Sequence, residues 1–299
     1  MQTKLPLLAA LGVVAAGTAG ASAQVTADFD RPTNDLWNYP FNGNFAAGDR
    51  PGGSTFAAFG SPSFDNRDAQ VLTFFNTASQ IAPGQGAGNY EVTSATLTFT
   101  FGTDNAVAYD PTQDDVSTYG DGGTDGDAGR PFELYGTGFR NGGSPFGYPG
   151  TPFAFGAPTG QGVRNAFAAD VSSGSLRDVS NNVNEDFNPT AFAIGTTDAV
   201  NLGEDIPNGT VFTFDIDLSD AAIENYVASG LNTGLLSFSL TSLNAASVGG
   251  TTFPSFILDV PGANTAGAPT LSVTANIVPE PASLGLLGVA GLALVRRRR

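Results

Sequence analysis

The sequence predicts an all-β fold, a single two-sheet sandwich with one short helix, carried between an apolar segment at each end. Three observations lead there. Several segments alternate apolar and polar residues with period two, as half-buried strands do. The connections are rich in turn-forming residues, with 39 Gly and 19 Pro among 299 residues. Only one stretch of the interior has helical spacing.

The N-terminus has a short basic start, Met1-Gln2-Thr3-Lys4, then an apolar run from Leu5 to Ala16, then Ala21-Ser22-Ala23. That is the pattern of a cleaved secretory signal helix over residues 1–23. With small residues at Ala21 and Ala23, signal peptidase is expected to cut after Ala23 and leave Gln24 as the first mature residue. The protein is expected to be exported.

Residues 24–276 form the ectodomain, 253 residues, an ordinary length for one all-β unit. Val71 to Phe75 and Ala191 to Ile194 have the composition of more deeply buried strands. Ala95, Leu97, Phe99 and Phe101 alternate with Thr96, Thr98 and Thr100. Phe212, Phe214, Ile216 and Leu218 alternate with Thr213, Asp215 and Asp217. Leu236, Phe238 and Leu240 alternate with Ser237, Ser239 and Thr241, and Leu271, Val273, Ala275 and Ile277 close the series. The helix is expected after Ser219 as N-cap, with Ala222, Ile223, Tyr226 and Val227 on one face and Gly230 at its left-handed end. Many strands, long loops and one short helix point to a jelly-roll-like sandwich.

Composition excludes several chemistries. There is no Cys and no His, so disulfides, thiolate nucleophiles, His-based triads and the usual zinc sites are ruled out. The only Lys is Lys4, within the expected signal. The ectodomain has 27 acids against 7 Arg, a net charge of −20. Such a surface repels phosphate backbones, so nucleic acid is not an expected partner.

At the C-terminus, Val278-Pro279-Glu280-Pro281-Ala282-Ser283 leads into an apolar, Gly-rich helix over residues 282–295. Arg296, Arg297, Arg298 and Arg299 follow. Four Arg on the cytoplasmic side orient such a helix with the bulk of the chain outside. Fourteen residues are short for a span, and Arg snorkelling together with the Ile277-Val278 flank extends it. This order of parts closely resembles the PEP-CTERM sorting signal of exosortase substrates, with residues 277–299 as the signal and Pro279, Glu280, Pro281 and the four Arg as its motif residues. The resemblance implies a transient membrane anchor and cleavage near Pro-Glu-Pro by an exosortase-type membrane protease. Release to the cell surface or extracellular matrix would follow.

A second resemblance covers about half of the ectodomain. Val71-Leu72-Thr73-Phe74, Ile81-Ala82-Pro83-Gly84 and Val92-Thr93-Ser94-Ala95-Thr96-Leu97 are similar to the opening of DNRLRE-type secreted modules. The later order of Gly234 to Phe238, Phe253-Pro254-Ser255-Phe256 and Pro269-Thr270-Leu271 is similar too. It implies a jelly roll and a carbohydrate ligand class, and no individual binding residue. A long insertion between about residues 102 and 162 departs from that pattern.

Three groups of residues are candidates for chemistry. Asp121, Asp125 and Asp127 lie in a Gly-rich acidic stretch that has the hard oxygen donors Ca²⁺ takes. The same stretch also reads as a solvated acidic loop. Trp37, Tyr135 and Tyr148 are the candidate rings for stacking on the apolar face of a sugar, against the alternative that they pack beneath loops. Arg67, in Asp65-Asn66-Arg67-Asp68, is expected to pair with a carboxylate at a corner of the sandwich. No catalytic residue is nominated, and Glu133 is the one Glu near both the acidic stretch and the aromatics. The expected function is that of an exported, exosortase-sorted surface or matrix protein, non-catalytic, structural or polysaccharide-binding. The alternatives are a calcium-dependent lectin-like adhesin and a carboxylate-based glycosidase or lyase.

Overall fold

Thr/apolar alternation along residues 90–100 and 270–277 puts every second side chain on one face, and the two segments pair through that pattern. The computed structural model describes residues 22–39, 51–59, 65–119, 128–139, 166–245, 253–260 and 262–278. In chain order the elements are β1 (Ala23–Phe29), β2 (Asn34–Asn38), β3 (Gly52–Ser54), β4 (Phe56–Ala57), β5 (Arg67–Asn76), β6 (Tyr90–Thr100) and β7 (Phe132–Phe139). They continue with β8 (Ala166–Asp170), β9 (Arg177–Asp178), β10 (Ala193–Ile194), β11 (Val211–Asp215), α1 (Ala221–Thr233), β12 (Leu235–Ser242), β13 (Ser255–Ile257) and β14 (Thr270–Ile277).

One sheet has the order β1-β14-β6-β11. The larger one runs β2-β5-β12-β7-β8-β9, with β4 beside β5 and β10 beside β7. A two-stranded β3-β13 pair completes the described strands. The pairs between these described strands are all antiparallel. The chain passes repeatedly from one sheet to the other, so the all-β, sandwich-like fold predicted from the alternation is the fold observed.

The core lies between the sheets. Leu97, Phe99, Phe212, Phe214, Leu271 and Val273 from the small sheet join Val71, Phe75, Leu134, Leu236, Phe238 and Leu240 from the large one. Each such side chain contributes roughly 1.5–3 kcal/mol by leaving water. Phe132, Phe212 and Phe256 meet edge to face, with ring centroids 4.9–6.3 Å apart, the arrangement that aromatic quadrupoles prefer. Most of the Phe content is thus used in packing.

The helix differs from expectation at both ends. Its cap is Asp220, not Ser219: the Asp220 carboxylate accepts from the Ala222 and Ile223 N–H groups. The Ser219 hydroxyl instead donates to Asp217. At the other end the left-handed residue is Gly234 (φ 83°), and Gly230 is inside the helix. The helix continues past Gly230 because Leu231 packs into the core, fully buried. Gly230 is needed there for space: a Cβ on it would lie 2.2 Å from Leu236 Cδ2.

Candidate functional site

The outer face of the four-stranded sheet is built by the polar half of the alternation. The registers place Asp28, Ser272, Thr96 and Asp215 in one row across β1, β14, β6 and β11. The Ser272 hydroxyl donates to Asp28 at 2.6 Å and the Thr96 hydroxyl to Asp215 at 2.7 Å. Parallel rows hold Thr26, Thr274 and Ser94, and Thr270, Thr98 and Thr213. Hydroxyl pairs meet at 3.0 Å between Thr26 and Thr274 and at 2.6 Å between Thr98 and Thr270. Glu91, Asn276 and Gln24 form a further row, in which the Asn276 amide donates to Glu91. The result is a sheet of hydroxyl, amide and carboxylate groups spaced about 4.8 Å apart from strand to strand. The carboxylates of Asp28 and Asp215 sit on its two edge strands, where charge discourages edge-to-edge pairing.

The same sheet fixes where the sorting segment begins. β14 lies between β1 and β6, and Ala23 pairs with Ile277 at its end. The Val278 N–H donates to the Asn89 carbonyl at 2.9 Å. Hydrogen bonding of the ectodomain therefore reaches the residue just before Pro279. Ala23, the expected cleavage residue, is the first residue of β1.

On the far face of the larger sheet lies a buried ionic network. Arg67 on β5 and Glu133 on β7 are each 1 % exposed and form an ion pair. Arg67 also donates to Thr241 (2.8 Å) and to Asn182 (3.1 Å). Glu133 accepts from the Tyr135 hydroxyl (2.8 Å) and the Gln113 amide (3.2 Å). Burial alone would push the Arg67 pKa down, but the charge and hydrogen bond of Glu133 hold it above the usual value. Burial raises the Tyr135 phenol well above its ordinary range. Beside this network Asp114 takes Arg130 at 2.7 Å and the Tyr119 hydroxyl at 2.8 Å, with the Arg130 guanidinium over the Tyr119 ring.

The expected sugar platform does not assemble from Trp37 and Tyr135. Tyr135 is fully buried, so neither ring face meets solvent. Its neighbours Ala168 and Val179 lie on the opposite side of the sheet from the core that Trp37 packs against. Trp37 is partly buried, donates its indole N–H to the Ser54 carbonyl at 2.8 Å and stacks on Tyr39 at 4.9 Å. Its ring is committed to packing, as Tyr135 is to the ionic network. Tyr148, the acidic residues Asp121, Asp125 and Asp127, Ala21, and Pro279, Glu280, Pro281, Arg296, Arg297, Arg298 and Arg299 lie outside the described residues. The apolar helix over 282–295 does too; among the described residues no helix is long and apolar enough to cross a membrane.

Among the described residues no three acids converge in a manner suited to a metal. One groove of about 400 Å³ opens between α1 and the turn after β8, lined in part by Val171, Leu176, Ala222, Asn225 and Tyr226. Among the described residues no carboxylate lines it. The hydroxyl rows were partly legible, since Thr96, Thr98 and Thr100 alternate with core residues. Their alignment with Ser272, Asp28 and Asp215 required the register.

Comparison with protein families matches the C-terminal segment. The model of the PEP-CTERM protein-sorting motif matches residues 278–299. The chain thus carries a signal for export, membrane anchoring and processing by an exosortase, a membrane protease. No curated protein matches the chain.

Proposed function

We propose that the ectodomain is a non-catalytic structural component of the cell surface or extracellular matrix, delivered there by its C-terminal motif. The observation that carries this reading is the join between fold and signal. The central strand β14 ends at Ile277 and the motif begins at residue 278, so the sandwich is presented directly at the processing site. A jelly roll suits that role. Eight strands, β1, β5, β6, β7, β8, β11, β12 and β14, divide between two four-stranded orders, β1-β14-β6-β11 and β5-β12-β7-β8, a distribution that supports the double Greek-key reading. The non-catalytic reading is supported by Glu133, which is neutralised by Arg67 and closed off from solvent, and by the absence of acids among the described residues lining the groove beside α1.

A polysaccharide-binding role draws support from the outer hydroxyl rows. Their closely spaced donors and acceptors match a hydroxyl-rich polymer lying across the strands, through hydrogen bonds and not ring stacking. The experiment is affinity electrophoresis of the full-length chain, purified in detergent, through gels containing extracellular polysaccharides, with and without calcium. Retardation that Thr96→Val and Ser272→Ala weaken supports binding by this face. Retardation with calcium alone that those variants leave unchanged favours a calcium-dependent lectin-like adhesin. No retardation leaves the structural role as the function, and shortening of the polysaccharide would contradict the non-catalytic reading.

A further inference from the structure

Away from the sorting motif and the outer sheet face, two buried oxygens without partners occur side by side. Asp35 on β2 and Thr73 on β5 are direct cross-strand partners. Along β5, Thr73 alternates in step with Val71 and Phe75, so both side chains point to the inter-sheet side, where those residues enter the core. Asp35 is 1 % exposed and Thr73 0 %. Neither Asp35 Oδ1 nor Thr73 Oγ1 has a hydrogen-bond partner among the described residues. Two such groups at adjoining positions are costly, because buried polar atoms are nearly always satisfied.

A second carboxylate is near enough to act on the charge of Asp35. Asp259, in the segment after β13, donates its backbone N–H to Asp35 Oδ2 at 2.8 Å. Its own Oδ1 accepts from the Thr265 N–H at 3.1 Å. Asp259 is 8 % exposed and lies at the rim. Among the described residues the basic group that pairs with it is Arg31, 3.6 Å from Asp259 Oδ1, whose side chain is 43 % exposed and also donates to Asn264 at 2.6 Å. Asp259 thus has a half-exposed guanidinium as its ion-pair partner, while Asp35 keeps an unpaired oxygen in the interior among the described residues.

We propose that Asp35, Thr73 and Asp259 form a binding site for one hard divalent cation, calcium in an extracellular setting. The donors are all oxygen, two carboxylates and a hydroxyl, which is the chemistry of calcium and not of softer metals. Backbone carbonyls and water complete the coordination. Bound there, the cation satisfies Asp35 Oδ1 and Thr73 Oγ1 together and ties β2, β5 and the segment after β13 into one unit. The site uses none of Asp121, Asp125 and Asp127, and it does not depend on the reading of the outer face.

The test is calcium titration of the full-length chain in detergent, followed by calorimetry and thermal melting, with chelator as the reference. Calcium is expected to raise the melting temperature by several degrees. Asp35→Asn should abolish that shift while melting at least as high as the wild type in chelator. Thr73→Val should weaken calcium affinity several-fold without lowering stability in chelator, since it removes an unsatisfied hydroxyl. That last pattern separates a ligand from a merely structural residue, and Thr73→Val decides the matter if Asp35→Asn does not fold. The combined Asp121→Asn, Asp125→Asn and Asp127→Asn variant should keep the shift. Absence of any calcium effect, an undiminished effect in Asp35→Asn or Thr73→Val, or its loss in the combined variant would overturn the proposal.

Discussion

Gln24 and Asn276 are cross-strand partners, so the first and last strands of the ectodomain close the same corner of the small sheet. β14 is therefore an interior strand, bonded on one side to β1 and on the other to β6. The ectodomain cannot complete its core until residues 270–277 have joined it, and the sorting motif begins at the next residue.

A first prediction concerns that strand. A chain ending at Val278 should melt cooperatively at the temperature of the longer protein. One ending at Ala268 loses Leu271, Val273 and Ala275, all at most 1 % exposed, and splits the sheet between β1 and β6. Burial of these side chains is worth several kcal/mol, on the order of the whole stability of a domain. Thermal melts followed by circular dichroism should show no cooperative transition for the shorter chain.

The Arg67–Glu133 pair predicts a strongly non-additive response. Arg67→Met leaves Glu133 buried with Tyr135 and Gln113 as its remaining partners among the described residues, and should cost about 3–5 kcal/mol. Glu133→Gln in the same background removes the stranded charge and should recover a substantial part of that loss. A double-mutant cycle by urea unfolding measures it; additive losses would show that the pair does not act as a unit.

The helix ends give a sharper contrast. Asp220→Ala should cost about 1 kcal/mol through loss of the cap, while Ser219→Ala should be close to neutral. Gly234→Ala forces a side chain onto φ 83° and brings its Cβ to 2.9 Å from that of Ala78, so a loss of about 1–2 kcal/mol is expected. Chemical denaturation of the three variants checks the order.

Asp35 predicts how stability varies with pH when calcium is chelated. Burial pushes its carboxyl from 3.8 up to about 7, the Asp259 N–H opposes this and the Asp259 charge adds to it. The folded state therefore holds a proton that the unfolded state releases. The contribution is fully present below pH 3.8 and is lost as pH rises through about 7, at a cost of a few kcal/mol. Asp35→Asn cannot ionise, so its advantage over the wild type should widen between pH 4 and 8. A constant difference across that range would contradict the assignment.

What could be read from the sequence follows largely from burial on one face or two, with β12 the exception: it alternates, but its Ser237, Ser239 and Thr241 face the buried network and not water. The strands with a wet face, β6, β11 and β14, show clean alternation and were found. β7 and β8 are buried on both faces, because the network around Arg67 and the segments over it cover the far side of the large sheet. Their residues FELYGTGF and AFAAD have no period to detect. The helix was legible from Ile223 and Val227, but its ends depended on which Asp or Gly met the right backbone groups. Tyr135 is the instructive case. Aromatic composition near polar residues suggests a sugar platform, whereas its hydroxyl is used on Glu133, two residues earlier on the same face of β7, and it is the burial of that face around the cross-strand Arg67–Glu133 pair that the sequence does not reveal.

The most direct measurement is the mass of the protein recovered from the surface and matrix of cells with and without the exosortase. The account predicts a C-terminus at or beyond Val278 that appears only when the exosortase is present, on a chain that still melts cooperatively. A C-terminus inside residues 270–277, or recovery of the intact chain with its four terminal Arg in the matrix, would contradict it.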